Sequence, residues 1–144
     1  MPQVFAWAKD FFAEYIDLWG YQQDRTEYTA ALGKADVIVS TAKHEFFGLS
    51  VAEAIAAGAF PLLPKRLSYP ELLESVETKR ADEFFYDGSI EDLARRLTQA
   101  AGLVELDQLW LPDRLRGVRR MERFWWQNSA PILDDALQHL PSSF

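Results

Sequence analysis

Two carboxylates, Glu45 and Glu53, stand eight residues apart on either side of Gly48 in the stretch Thr41-Ala42-Lys43-His44-Glu45-Phe46-Phe47-Gly48-Leu49-Ser50-Val51-Ala52-Glu53-Ala54. A carboxylate can accept from both hydroxyls of a cis diol, so Glu53 suits a ribose. Ser50-Val51-Ala52-Glu53 equally fits a capping box, in which the glutamate turns back to its own helix start. Glu45 precedes that helix, where a cap does not account for it, and its plain alternative is a solvated surface acid. Phe46 and Phe47 beside it argue for the wall of a partly covered pocket. Gly48 permits close approach of main chain to a ligand, or simply makes a turn. His44 can donate to a sugar hydroxyl or to the oxygen of a bond being broken, and can as well fix the loop.

These residues need a strand before them and a helix behind. Asp36-Val37-Ile38-Val39-Ser40 is a short β-branched apolar run bounded by polar residues and reads as a buried strand of a parallel sheet. Ligands of open α/β sheets collect outside the carboxyl ends of strands, where the next helix presents unpaired N–H groups and a partial positive charge. A diphosphate fits that position. Phe60-Pro61-Leu62-Leu63-Pro64 reads as a second strand, its prolines suiting a strand end or edge, with Lys65 and Arg66 on the rim where a phosphate would be reached. Lysines on such rims are also common as plain surface residues.

The rest of the chain alternates in the same way. Apolar spacing predicts a helix from residue 2 to about 14, with Pro2 in its first turn, and Ile16-Asp17-Leu18-Trp19-Gly20 reads as a strand. Asp24-Arg25-Thr26-Glu27 has a capping pattern for a helix through Leu32, and Gly58 supplies a helix stop. Glu83-Phe84-Phe85-Tyr86 is a weaker strand, followed by the turn Asp87-Gly88 and a helix capped by Ser89. The expectation is an α/β, Rossmann-like parallel sheet of three to four strands flanked by helices over residues 1–104. A helical tail follows over 105–144, with Ser129 capping the apolar set Leu133, Leu137 and Leu140. Residues 1–144 are read as a single domain.

With 144 residues, 49% of them hydrophobic, the chain has material for one core. A net charge of −7 repels a nucleic-acid backbone as a whole, so any such contact is local or supplied elsewhere. The absence of cysteine excludes disulfides and thiolate chemistry, and two histidines make a histidine metal site improbable. No apolar run approaches bilayer length, and the chain reads as soluble and cytoplasmic. Arg114, Arg116, Arg119, Arg120 and Arg123 crowd beside Trp125 and Trp126. Interleaved acids make a solvated, salt-bridged helix face the better reading than an RNA surface, with the tryptophans in packing rather than base stacking.

The motif carries a family resemblance. His44-Glu45-Phe46-Phe47-Gly48, four further residues, then Glu53-Ala54 resembles the E-x7-E motif of retaining glycosyltransferases of the GT-B architecture, family GT4. Ser40-Thr41-Ala42-Lys43-His44-Glu45-Phe46-Phe47-Gly48 and Pro61-Leu62-Leu63-Pro64-Lys65-Arg66-Leu67-Ser68-Tyr69-Pro70-Glu71 are similar to the tRNA-queuosine α-mannosyltransferases. The similarity is strong over residues 1 to about 75 and loose beyond. It implies that Glu45 contacts hydroxyls of the transferred hexose and Glu53 the donor ribose. Phe47, Gly48 and Leu49 would offer backbone N–H groups to the sugar and diphosphate, with Gly20 and Tyr21 at the nucleotide base.

The implied donor substrate is GDP-mannose, the implied acceptor queuosine in tRNA, with no metal and no separate cofactor. One departure matters: the arginine and lysine that neutralise the diphosphate in relatives have no match before Ile16. The chain therefore reads as a partial GT-B carboxyl-terminal domain, truncated at its amino end. It is expected to be inactive alone, with tRNA contacted through the missing amino-terminal domain. A strand at Ile16 would pair with the one at Asp36, pair with a second copy in an edge-paired or swapped homodimer, or stay loose. The rival readings are a GT4 enzyme with a lipid or polysaccharide acceptor, and a non-catalytic nucleotide-binding or interaction domain.

Overall fold

The computed structural model describes residues 3–73, 82–111, 113 and 115–140. Pro2, Arg114 and the last residues of the tail lie outside them. Two compact units are present, residues 1–30 and 31–144.

The first unit holds α1 (Gln3–Phe11), a 3-10 turn at Ala13–Tyr15, and the start of α2 (Arg25–Leu32). The helix expected from residue 2 to about 14 is thus a shorter α-helix closed by that turn. Trp7 and Phe11 stack at 5.0 Å, and Phe12 meets Phe11 edge-on at 4.8 Å. Val4, Phe5, Trp7 and Phe11 remain exposed. Ile16–Gly20 forms no strand, which corrects the sequence reading. An apolar run makes a strand only when a neighbour completes its hydrogen bonds, and sequence pattern alone does not supply one. The α2 start is as expected: Asp24 Oδ1 accepts from the amides of Thr26 at 2.7 Å and Glu27 at 3.0 Å. Those two amides hold the Asp24 carboxyl below its ordinary value.

The second unit carries the sheet. Its strands are β1 (Val37–Val39), β2 (Phe60–Pro64) and β3 (Phe85–Tyr86), all parallel and in the order β1-β2-β3. The helices are α3 (Leu49–Ala56), α4 (Tyr69–Leu73), α5 (Ile90–Glu105), α6 (Arg116–Met121) and α7 (Trp126–Gln138). This is the Rossmann-like partial sheet with a helical tail. The three strands occupy the predicted places.

β2 is the central strand and is buried throughout; Pro64 stands at its carboxyl end, as expected, while Pro61 sits inside the strand and not at an edge. The ladder shows how they are tolerated. Phe60 N donates to Asp36 O at 2.8 Å and Ser40 N to Leu62 O at 3.3 Å, so even-numbered β2 residues face β1. Lys65 N donates to Tyr86 O at 3.2 Å, so odd-numbered ones face β3. By the alternation of a parallel ladder, Pro64 lacks the amide that would reach Ser40 O, while opposite Pro61 the chain before β3 is a 3-10 turn over residues 82–84 and not a strand. The Tyr86 hydroxyl donates to Ser40 O at 3.0 Å in place of that amide, and Arg96 Nη1 donates to Asp82 O at 3.2 Å in the turn before β3.

The core gathers Val51 and Ile55 of α3, Phe60 and Leu63 of β2, Tyr69, Leu72 and Leu73 of α4, Phe84, Phe85 and Met121. α3 ends in a Schellman pattern, with Ala59 N on Ala54 O, Gly58 N on Ile55 O, and Gly58 at φ 109°. Ser89 caps α5 as expected, its Oγ accepting from Asp92 N at 3.1 Å. Ser129 is no cap. α7 starts at Trp126, and Ser129 Oγ donates to Arg123 O at 3.1 Å from inside the helix.

Arg116, Arg120 and Arg123 direct their guanidinium groups to protein partners. Arg116 pairs with Glu83 at 2.7 Å and lies over the rings of Phe84 and Trp110 at 5.1 and 5.7 Å. Arg120 lies 5.0 Å over Phe84 and donates to Leu73 O, while Arg123 donates to Leu72 O at 3.1 Å. The last carbonyls of a helix lack intrahelical donors, and guanidinium groups suit them by charge as well as geometry. The tail thereby docks on the end of α4. Arg119 keeps the expected surface pairing, with Asp113.

Candidate functional site

The loop from Ser40 to Gly48 leaves the carboxyl end of β1 and enters α3 directly. Gly48 is the N-cap, in the left-handed region at φ 85°, and no side chain caps it. The first amides of a helix have no intrahelical acceptor, so they point from α3 toward whatever lies at the strand tip. Ser50 sits inside the helix, so Ser50 and Glu53 do not hold the N-cap and N3 places of a capping box. Glu53 is half-buried on the second turn.

Gly48 has an internal requirement as well. A Cβ there would stand 3.0 Å from the Tyr69 ring and 3.8 Å from Glu45 Cγ. Positive φ and the tyrosine both demand glycine, whether or not a ligand approaches. Glu45 is exposed and folds back, its Oε1 accepting from Phe46 N at 2.9 Å. Phe46 is fully exposed, and Phe47 meets Phe124 of the tail edge-on at 5.1 Å. The expected aromatic wall therefore consists of Phe47 without Phe46. His44 is exposed and makes no hydrogen bond among the described residues, so it does not fix the loop in that way. Leu49 is exposed at the first position of α3.

The rim after β2 is committed. Lys65 Nζ pairs with Asp82 at 2.6 Å, which holds the aspartate below its ordinary value. Arg66 Nη2 and Nε donate to Ala42 O at 3.0 and 3.3 Å. Leu67 takes a left-handed φ of 60°, uncommon for a residue with a side chain, and turns the chain into α4. Tyr69, the first α4 residue, then places its hydroxyl 2.7 Å from Ser40 Oγ. Gly20 and Tyr21 belong to the first unit, where Gly20 has φ 88°, its carbonyl accepts from Gln22 at 3.3 Å, and Tyr21 is exposed.

A cavity of about 290 Å³ lies at the opposite end of the sheet, where Asp36, Gly58, Asp107 and Trp110 line it. It is remote from the motif. No group of acids and histidines among the described residues could hold a metal ion, and no helix among them is long and apolar enough to cross a membrane.

Sequence reasoning singled out the loop and missed Ser40, Tyr69 and Tyr86, which hold it from beneath. The only signal was a pair of tyrosines beside strand ends. The loop, with an uncapped helix start and acids on either side of a glycine, can hold a hydroxylated, anionic ligand. Residues 4–102, more than half of the chain, match the profile of GT4-conflict, described as Family 4 Glycosyltransferase in conflict systems. Over 72 residues, half of this chain, it is 45% identical to the tRNA-queuosine alpha-mannosyltransferase of Drosophila melanogaster. That similarity covers 19% of the Drosophila protein. No solved structure matches. On the extent of the profile match and the loop-to-helix site at the β1 tip, the chain belongs to the family 4 glycosyltransferases.

Proposed function

We propose that the chain is the donor-binding part of a retaining glycosyltransferase that moves mannose from GDP-mannose to queuosine in tRNA. The observation that carries the donor reading is the uncapped amino end of α3 at the carboxyl tip of β1. Free backbone amides and the helix dipole favour a diphosphate there, and they do so more strongly as charge grows on the departing oxygen. Glu53 takes the ribose hydroxyls, Glu45 the hexose hydroxyls, and His44 donates at the sugar. Phe47, Gly48 and Leu49 supply N–H groups, Gly20 and Tyr21 serve the base, and Lys65 exchanges Asp82 for phosphate. The bond from the anomeric carbon to phosphate breaks with its electron pair on the diphosphate. An acceptor hydroxyl forms the new bond on the same face and loses its proton to the departing oxygen. Holding the partners in line supplies the proximity.

The name of the Drosophila relative supports mannose and tRNA-queuosine, and a tRNA acceptor accords with a cytoplasmic site of action. A second reading keeps the transfer and changes the acceptor. It rests on the family description, which names conflict systems and no tRNA. Calorimetry with GDP, UDP and GDP-mannose tests the donor reading. GDP and GDP-mannose are expected to bind more tightly than UDP, and Glu53→Ala to weaken them about tenfold, the loss of a charged hydrogen-bond pair. Absence of binding by all three would sink the reading. A Glu53→Ala variant with lower stability and unchanged affinity would make Glu53 a structural residue.

A further inference from the structure

We propose that Tyr69 and Tyr86 are positioning residues that clamp Ser40 from two sides and so fix where the motif loop leaves the sheet. The role assigned to the loop rests on the donor reading above.

The geometry begins with a gap in the backbone. The β1–β2 ladder runs through Phe60 N to Asp36 O and Ser40 N to Leu62 O, and its next rung would take an amide from residue 64. Pro64 has none, so Ser40 O would be left without its sheet donor at a part-buried point. The Tyr86 hydroxyl fills that place at 3.0 Å, from a residue 46 positions away in sequence. Burial pushes the Tyr86 phenol above its ordinary value, against the pull of Arg66, so it stays protonated and able to donate.

Tyr69 acts on the same residue from α4. Its hydroxyl meets Ser40 Oγ at 2.7 Å, and that Oγ also accepts from Ala42 N at 3.2 Å. The Tyr69 ring meanwhile fills the space beside Gly48, so one buried side chain touches both ends of the loop. Arg66 adds a third tie through Ala42 O. Neither tyrosine lies in the set that meets the donor. Both act through Ser40, and Tyr69 also through Gly48.

Tyr69→Phe and Tyr86→Phe remove one oxygen each and keep the rings. Amide hydrogen exchange on the full chain without ligand reads the loop directly. About fivefold faster exchange is expected across 41–48 in each variant, with Ala42 the sharpest reporter for Tyr69→Phe. Ser89→Ala, which removes the cap of α5, is the control for a general loss of stability and should leave 41–48 unchanged. Exchange in 41–48 that stays at the wild-type rate, or rises equally in the control, overturns the proposal. GDP affinity is the second readout, expected to fall at least threefold in the tyrosine variants, and a faster loop with unchanged affinity also overturns the positioning role. If the wild-type chain binds no nucleotide, the donor reading fails by itself, and the exchange comparison alone decides whether the clamp exists.

Discussion

The motif loop and the arginine row of the tail are the two regions whose residue types advertise chemistry, and the structure treats them oppositely. In the loop, His44, Glu45 and Phe46 stay exposed, and the hydrogen bonds from outside reach the Ala42 and Ser40 carbonyls and the Ser40 hydroxyl beneath them. In the tail, Arg116, Arg120 and Arg123 spend their guanidinium groups on Glu83, on α4 carbonyls and on aromatic faces. A cluster of charged side chains is thus informative only with its partners. Charges left facing outward from a well-tied backbone suit a ligand, and charges turned inward substitute for missing protein contacts.

Four substitutions or conditions sharpen the contrast. The largest effect belongs to Gly117→Val. A Cβ at Gly117 would stand 2.5 Å from the Trp110 ring, and overpacking of this kind costs about 3 kcal/mol, readable from the urea midpoint. Arg120→Ala comes next, at about 2 kcal/mol, because it strips Leu73 O of a charged donor and Phe84 of one of its two cations. An RNA role for the row would instead show as lost binding with little change in that midpoint.

Acid comes third. Asp92 is held below its ordinary value by the Asp87 amide and then by Arg95, and Asp113 by Arg119. Carboxyls depressed in the fold contribute fully above the ordinary value of 3.8 and lose that contribution as the pH falls through their lower folded values. The urea midpoint should therefore hold from about pH 7 to about pH 5 and decline on further acidification. Glu45→Ala is the smallest, within about 0.5 kcal/mol in stability, while weakening GDP-mannose about tenfold. A large stability loss there would place Glu45 with the tail residues rather than with the ligand.

Much of the frame was legible because its signals are local. The β-branched run at Val37 to Val39, the caps Asp24 and Ser89, and the stop at Gly58 each act within a few residues. The motif itself was legible as spacing. What escaped depends on distant partners. Ile16–Gly20 has strand-like residues and forms none, and Ser129 looks like a cap but lies inside α7. The prolines of β2 suited a strand end or edge, and the strand is central, with the Tyr86 hydroxyl at the Ser40 carbonyl that Pro64 has no amide to reach. The arginine destinations lie 47 and 51 positions away along the chain, beyond the reach of any periodicity.

Pro64 also acts as a ruler. With an ordinary residue there, an amide would stand opposite Ser40 O as the next rung of the β1–β2 ladder. An imino acid at that rung ends the ladder at Ser40. The tether to Gly48 thus begins where a neighbouring strand has no amide left to offer.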